Sequence, residues 1–199
     1  MRRCLSKRRK HSFEFKQSSC YNCRPSEFFH RGCHIAYWST SMKGDPKVIK
    51  LLNEVLKAEL TAINQYFLHA EMCENWGYER LAKLIRKESI EEMAHAEKLI
   101  ERILYLDGTP NMSDYFKINI GASVEQQFQN DVELEYSAVK RLNNGIPICV
   151  SVGDNGSREL LEKILQDEEH HIDWLEAQQH AIGEIGIANY LAEQLKKDE

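Results

Sequence analysis

The chain has 199 residues, 42% hydrophobic and 29% charged, which suits one well-buried soluble domain and leaves little chain for a second. No apolar run approaches the roughly 18 to 20 residues that a membrane-spanning helix needs, so a helical membrane protein is excluded. The net charge of −5 divides unevenly: residues 1–41 hold nine Lys/Arg against Glu14 and Glu27, a balance of +7, leaving −12 on the rest, and an acidic body argues against nucleic acid as a partner and favours cations.

Residues 1–41 show no helical or strand periodicity and lack the apolar stretch of a secretory signal. Rich in Arg and Ser and poor in acids, the segment faintly resembles an organellar transit peptide. Cys20, Cys23, Cys33 and His34 carry part of a zinc-knuckle spacing, but one C-x-x-C pair is a weak pattern. The expectation for residues 1–41 is a basic, disordered leader, or a start assigned upstream of Met42, and for residues 42–199 a single helical domain. Cys73 and Cys149 fall inside helical pattern and read as reduced thiols.

Asp45-Pro46 is a helix start, an N-cap with proline at the first helical position. Val48, Leu52, Val55, Glu59, Ile63 and Tyr66 then recur on one face, and Trp76-Gly77 marks the stop. A second helix carries Leu81, Leu84, Glu88, Glu92, His95, Leu99 and Ile103 up to Asp107-Gly108. The stretch from Asp107 to Ala122 lacks periodicity and is long enough for a crossover running the length of a bundle. Ser123-Val124-Glu125-Gln126 is a capping-box pattern opening a third helix with the stripe Phe128, Val132, Glu135, Val139 and Leu142. Pro147 predicts a kink or an early end to that helix. A fourth helix is predicted from about Ser157 to Ile185, with Leu161, Ile164, Glu168, His171 and Leu175 on one face, and a short fifth from Ile187 to Leu195. The fold class is all-α: a four-helix bundle with one long crossover and a short C-terminal helix.

One pattern is written twice along these helices. Glu59 is followed 33 residues later by Glu92 and then His95; Glu135 is followed 33 residues later by Glu168 and then His171. Positions i and i+3 share a helix face, so each Glu-x-x-His aims two side chains at one point. Two lone glutamates plus two such pairs are the six ligands of a dinuclear carboxylate site in a four-helix bundle. A single Glu-x-x-His is usually a solvated face, as Glu169 and His170 are expected to be. Here all four glutamates lie in register with apolar positions, where an uncompensated carboxylate is strongly destabilising. Two divalent cations balance four carboxylates, and oxygen-rich ligation with one imidazole per metal suits Fe(II) or Mn(II). Glu92 and Glu168 are best placed to bridge, Glu59 and Glu135 to bind one ion each, with His95 and His171 one on each metal. Tyr66, two turns beyond Glu59, is either a supporting hydrogen-bond partner or a packed core residue.

Residues 42–199 strongly resemble bacterioferritin, through MKGDPKVIKLLNEVLKAELTAINQYFLHA, ESIEEMAHAEKLIERILYLDGTPN and DNGSRELLEKILQDEEHHIDWLE, and all six ligand positions match. The resemblance covers none of the leader. It implies a ferritin-like fold and a cytoplasmic shell of 24 identical subunits that oxidises Fe(II) with O2 or H2O2 and stores ferric mineral. It also implies haem b shared across two-fold dimers, held by one methionine from each subunit; the matching residue is Met93. Some bacterioferritins use a His and an Asp on the inner wall, and the matching positions here are Lys87 and Glu91. The reading is therefore an iron-storage ferroxidase with no nucleic-acid or membrane partner. The alternatives are a haem-carrying or structural shell subunit without ferroxidase activity, and a di-iron peroxidase of rubrerythrin type, whose usual four-cysteine site the leader does not supply.

Overall fold

A computed structural model of the chain describes residues 43–195. Four long helices, α1 (Pro46–Asn75), α2 (Glu79–Tyr105), α3 (Val124–Val152) and α4 (Asn155–Ile185), are followed by the short α5 (Ile187–Ala192). The zinc-knuckle reading of Cys20, Cys23, Cys33 and His34 lies outside the described residues.

The helix ends follow the caps in the sequence. The Asp45 carboxylate accepts from Lys47 N–H, with Pro46 in the first helical position, and Ser123 Oγ accepts from Gln126 N–H. Gly77 and Gly153 take φ of 87° and 75° at the turns after α1 and α3, conformations that cost glycine nothing. The Asp154 carboxylate accepts from Ser157 N–H and starts α4 at Asn155, slightly earlier than the sequence suggested. One expectation is corrected. α3 does not end at Pro147 but continues to Val152, because Ile148 and Cys149 beyond the proline pack on the core and Pro147 itself is exposed.

Short turns make α1 and α2 antiparallel neighbours, and likewise α3 and α4. The crossover runs up the side of α1 in parallel with it. Asn53 meets Thr109 and Asn111, the Phe116 amide donates to Thr61 Oγ1, the Asn119 amide to Gln65 Oε1, and the Gly121 amide to His69 Nε2. The chain is thereby returned to the far end of the bundle before α3 begins, so α3 runs antiparallel to α1.

The apolar core is split in two. One cluster gathers Leu52, Leu56, Leu99, Ile103, Leu142 and Leu161; the other gathers Tyr66, Leu81, Ile85, Phe128, Leu175 and Tyr190. Burying one such side chain stabilises the fold by about 1.5–3 kcal/mol, so each cluster anchors one end. On α2 it is Ile85 that is buried, whereas Leu84 is 37% exposed. The four long helices pass from one cluster to the other through a polar layer at Glu59, Glu92, Glu135 and Glu168.

Candidate metal centre

That layer is buried. Glu59, Glu92, Glu135 and Glu168 are each 1–2% exposed, His95 is 3% and His171 7%. Their ligand atoms form two overlapping sets, Glu59–Glu92–His95–Glu168 and Glu92–Glu135–Glu168–His171, with the atoms of each within 4.8 Å of one another. Glu92 and Glu168 belong to both. Glu59 and Glu135 belong to one each.

The imidazoles show how the sharing works. His95 Nδ1 lies 3.3 Å from Glu92 Oε2, 3.4 Å from Glu59 Oε2 and 3.6 Å from Glu168 Oε1. His171 Nδ1 lies 3.1 Å from Glu92 Oε1, 3.1 Å from Glu168 Oε2 and 3.9 Å from Glu135 Oε1. Each shared carboxylate thus turns one oxygen to each histidine, an arrangement that suits a bridging ligand. The outer nitrogens are also engaged: His95 Nε2 is 3.1 Å from Asp167 Oδ2, and His171 Nε2 is 3.0 Å from Glu88 Oε2. Acidic partners of this kind fix an imidazole's orientation and strengthen it as a ligand.

So many carboxylates in a dry layer must hold protons. Burial raises Glu59, aided by the charge of Glu168, and burial with the charges of Glu168 and Glu92 raises Glu135. For Glu92 burial acts the same way but loses to the contacts with His171, His95 and Glu59, which pull it down to about 2. Burial alone would neutralise the histidines, yet the carboxylates hold both well above their usual range. Even so, Glu59 Oε2 and Glu92 Oε1 are fully buried and, beyond the imidazole contacts at 3.4 and 3.1 Å, have no hydrogen-bond partner. An orphaned buried oxygen costs about 1–3 kcal/mol. Two divalent cations would use those lone pairs and replace the protons, so the residues fit a dinuclear metal centre.

Around this layer lie residues the sequence reading singled out, Tyr66 and the two cysteines, and others it did not, Gln65, His69, Gln127 and Asp131. Tyr66 is buried, and its hydroxyl donates to Glu135 Oε1, which favours the supporting role of its two readings. One turn on, His69 Nδ1 is 3.0 Å from the Asp131 carboxylate, to which Gln65 Nε2 also donates at 2.8 Å. Cys73 Sγ donates to Gln127 Oε1 at 3.2 Å. Cys73 and Cys149 are free thiols, and burial pushes them up to about 12 and about 11. Glu169 and His170 are exposed.

Residues 49–185 match the ferritin-like domain family. The chain is 49% identical over 152 residues to a bacterioferritin of Mycobacterium leprae, covering 76% of this chain and 96% of that protein. It is 51% identical over 151 residues to a bacterioferritin of Streptomyces coelicolor, covering 76% and 90%. With one of Brucella melitensis the identity is 46% over 149 residues, covering 75% and 92%. The chain belongs to the bacterioferritin family.

For a bacterioferritin-family chain, three further positions can now be placed. Lys87 Nζ is ion-paired with Glu91 Oε1 at 2.7 Å, and Glu91 Oε2 lies 3.6 Å from His171 Nε2. Glu88, Glu91 and His171 form a third, less buried group of potential ligands. Met93 is 55% exposed, its neighbour on the same helix face, Ile90, is 59% exposed, and neither belongs to the buried metal layer. Among the described residues no helix is long and apolar enough to cross a membrane.

Proposed function

We propose that this bacterioferritin-family protein is a cytoplasmic iron-storage ferroxidase whose substrate Fe(II) binds two ions per chain at Glu59, Glu92, His95, Glu135, Glu168 and His171. The observation that carries the reading is the pair of buried ligand sets sharing Glu92 and Glu168. Each Fe(II) takes one imidazole and one unshared carboxylate, and the shared glutamates hold the ions close enough to deliver two electrons to one oxidant. With hydrogen peroxide the balance is two Fe(II) oxidised to two Fe(III), while the peroxide takes two electrons and two protons to give two waters. Dioxygen taking two electrons and two protons gives hydrogen peroxide. The protein's own contribution is a preset geometry: Asp167 and Glu88 orient the imidazoles, and Tyr66 holds Glu135. The six buried ligands favour this reading over a structural subunit without ferroxidase activity.

Oligomerisation into a hollow 24-subunit shell, with the ferric mineral inside, completes the storage reading. Met93 supports haem b bound between two-fold-related copies, since its exposed thioether is free to meet a partner's across a shared haem.

The test is anaerobic Fe(II) titration of the purified metal-free protein, followed by oxidant and monitored by absorbance. Saturation at two Fe(II) per chain, with rapid oxidation abolished in Glu92→Ala, is expected, and iron uptake far beyond two per chain would select storage over a simple di-iron enzyme. Absence of binding at that stoichiometry in a correctly folded assembly would overturn the reading.

A further inference from the structure

Two openings reach the acidic layer from opposite edges of the bundle, and they differ in charge. One, about 310 Å³, lies between α1, the crossover and α3 and touches all four buried glutamates. The other, about 520 Å³, lies between α2 and α4 and touches both histidines. No residue lines both.

The α2/α4 opening is acidic at its rim. Glu88, Glu91 and Asp167 outnumber Lys87 and Lys98, and with the Lys87–Glu91 pair cancelled, Glu88 and Asp167 still outnumber Lys98. The α1/α3 opening is different. Lys117 and Glu133 on its exposed rim offset one another, so outside the four buried glutamates Arg141 is the unbalanced charge of the mouth. The Arg141 guanidinium is half-buried and makes no hydrogen bond or ion pair among the described residues. It stacks over the Phe116 ring, 4.7 Å from the centroid, and feels the charges of Glu54, Glu59 and Glu168. Lys57 Nζ, 4.3 Å from the same centroid and 3.2 Å from Asp114, adds a second cation to that ring. Phe116 is in turn pinned by the bond from its own amide to Thr61. A positive charge is thus fixed in the path to two ligand carboxylates without neutralising either.

We propose that the two openings serve different reactants: Arg141, steadied by Phe116, bars cations from the α1/α3 opening, so Fe(II) loads through the acidic α2/α4 opening and the α1/α3 opening serves the uncharged oxidant. The inference rests on the ferroxidase reading and adds a specificity-determining residue and a direction of traffic to it. A fixed charge in a low-dielectric mouth changes association rates of ions by ten- to a thousandfold and leaves neutral molecules untouched.

The test follows binding of Co(II), which is coloured and is not oxidised on this time scale, to the assembled full-length protein by stopped-flow absorbance. In Arg141→Gln, association is expected to speed up by about tenfold at low ionic strength, the gain vanishing near 1 M salt, where the Debye length is about 3 Å. Arg141→Lys, which keeps the charge, is expected to retain the wild-type rate, and Glu91→Gln to slow it. Ser137→Trp, which narrows the α1/α3 opening, is expected to slow peroxide oxidation of preloaded Fe(II) with Co(II) association unchanged. An unchanged or slower rate in Arg141→Gln, an equal gain in Arg141→Lys, or slowed Co(II) binding in Ser137→Trp would overturn the division of traffic. Failure of the wild-type protein to bind two Co(II) per chain would instead defeat the metal-centre reading beneath it.

Discussion

Glu59 and Glu92 sit in the same dry layer and are driven in opposite directions, which exposes the conflict built into the site. Burial and the charge of Glu168 raise Glu59 well above the usual carboxylate range, while contacts with two histidines pull Glu92 below it. A carboxylate that must be protonated to stay buried is a liability to the metal-free fold and an asset to the loaded one. Replacing Glu59 with Gln keeps the shape and removes the liability. The expected result is a higher melting temperature for the metal-free protein, with tightly bound metal falling from two ions per chain to one, measured by calorimetry and by metal analysis after gel filtration. An unchanged stoichiometry would remove Glu59 from the ligand set. Tyr66→Phe tests the neighbouring contact. It deletes only the hydroxyl that donates to Glu135, so two ions should still bind, the site holding Glu135 and His171 weakening by about 10–100-fold as for other partners of ligands. Equal affinity in Tyr66→Phe would mark Tyr66 as core packing alone.

At the scale of helices and loops, the crossover turns a string of helices into this bundle, and it is held by hydrogen bonds to side chains of α1. Thr61, Gln65 and His69 accept from its backbone in sequence, and Gln65 and His69 are themselves held by Asp131 on α3. Where the crossover meets α3 it passes so close that a Cβ on Gly121 would lie 2.4 Å from Gln127 N and 2.7 Å from the Gln126 carbonyl carbon. That neighbour is backbone and cannot rotate away. Gly121→Ala should therefore cost about 1–3 kcal/mol, lowering the melting temperature by roughly 2–4 °C per kcal/mol in a calorimetric scan. A wild-type melting temperature would show that the crossover is free to shift. The bundle was legible because its signals are local: Asp45-Pro46, Ser123 and the glycines announce helix ends, and Glu-x-x-His repeats at helical spacing. Tyr66 was legible as a candidate because it shares the Glu59 stripe. The polar network was not, since His69 and Asp131 are 62 positions apart, and a buried His, Gln or Asp carries no periodic mark that separates it from a solvated one. Arg141 and Phe116 were hidden for the same reason, meeting only because the crossover lies against α3. Pro147 misled because packing of Ile148 and Cys149 outweighs the lost helix hydrogen bond.

For the molecule as a whole, protons and metal ions compete to neutralise one acidic layer, and the competition links stability to pH. His95 and His171 are raised above 6.5, and Glu59 and Glu135 above 4.5. The folded metal-free chain therefore binds more protons than the unfolded chain above those values, and stability falls with rising pH across that window. The stabilisation from the two imidazolium groups is complete below about pH 6.5 and is lost as pH climbs towards their raised values. Glu92 works in the other direction, its contribution being lost only as pH falls from 4.5 through about 2, so it leaves the neutral range untouched. The melting temperature of the metal-free protein should thus decline between pH 7 and 9. Bound metal requires neutral imidazoles and ionised carboxylates, so loading expels these protons, and metal affinity should rise over the same interval. Differential scanning calorimetry with and without Zn(II), an inert occupant of such ligands, separates the two: the metal-free curve slopes down with pH and the loaded one does not. Parallel curves would mean that the layer holds its protons whether or not metal is bound. Gln at both Glu59 and Glu135 should flatten part of the metal-free slope, since each raised carboxylate contributes with the same sign as the histidines.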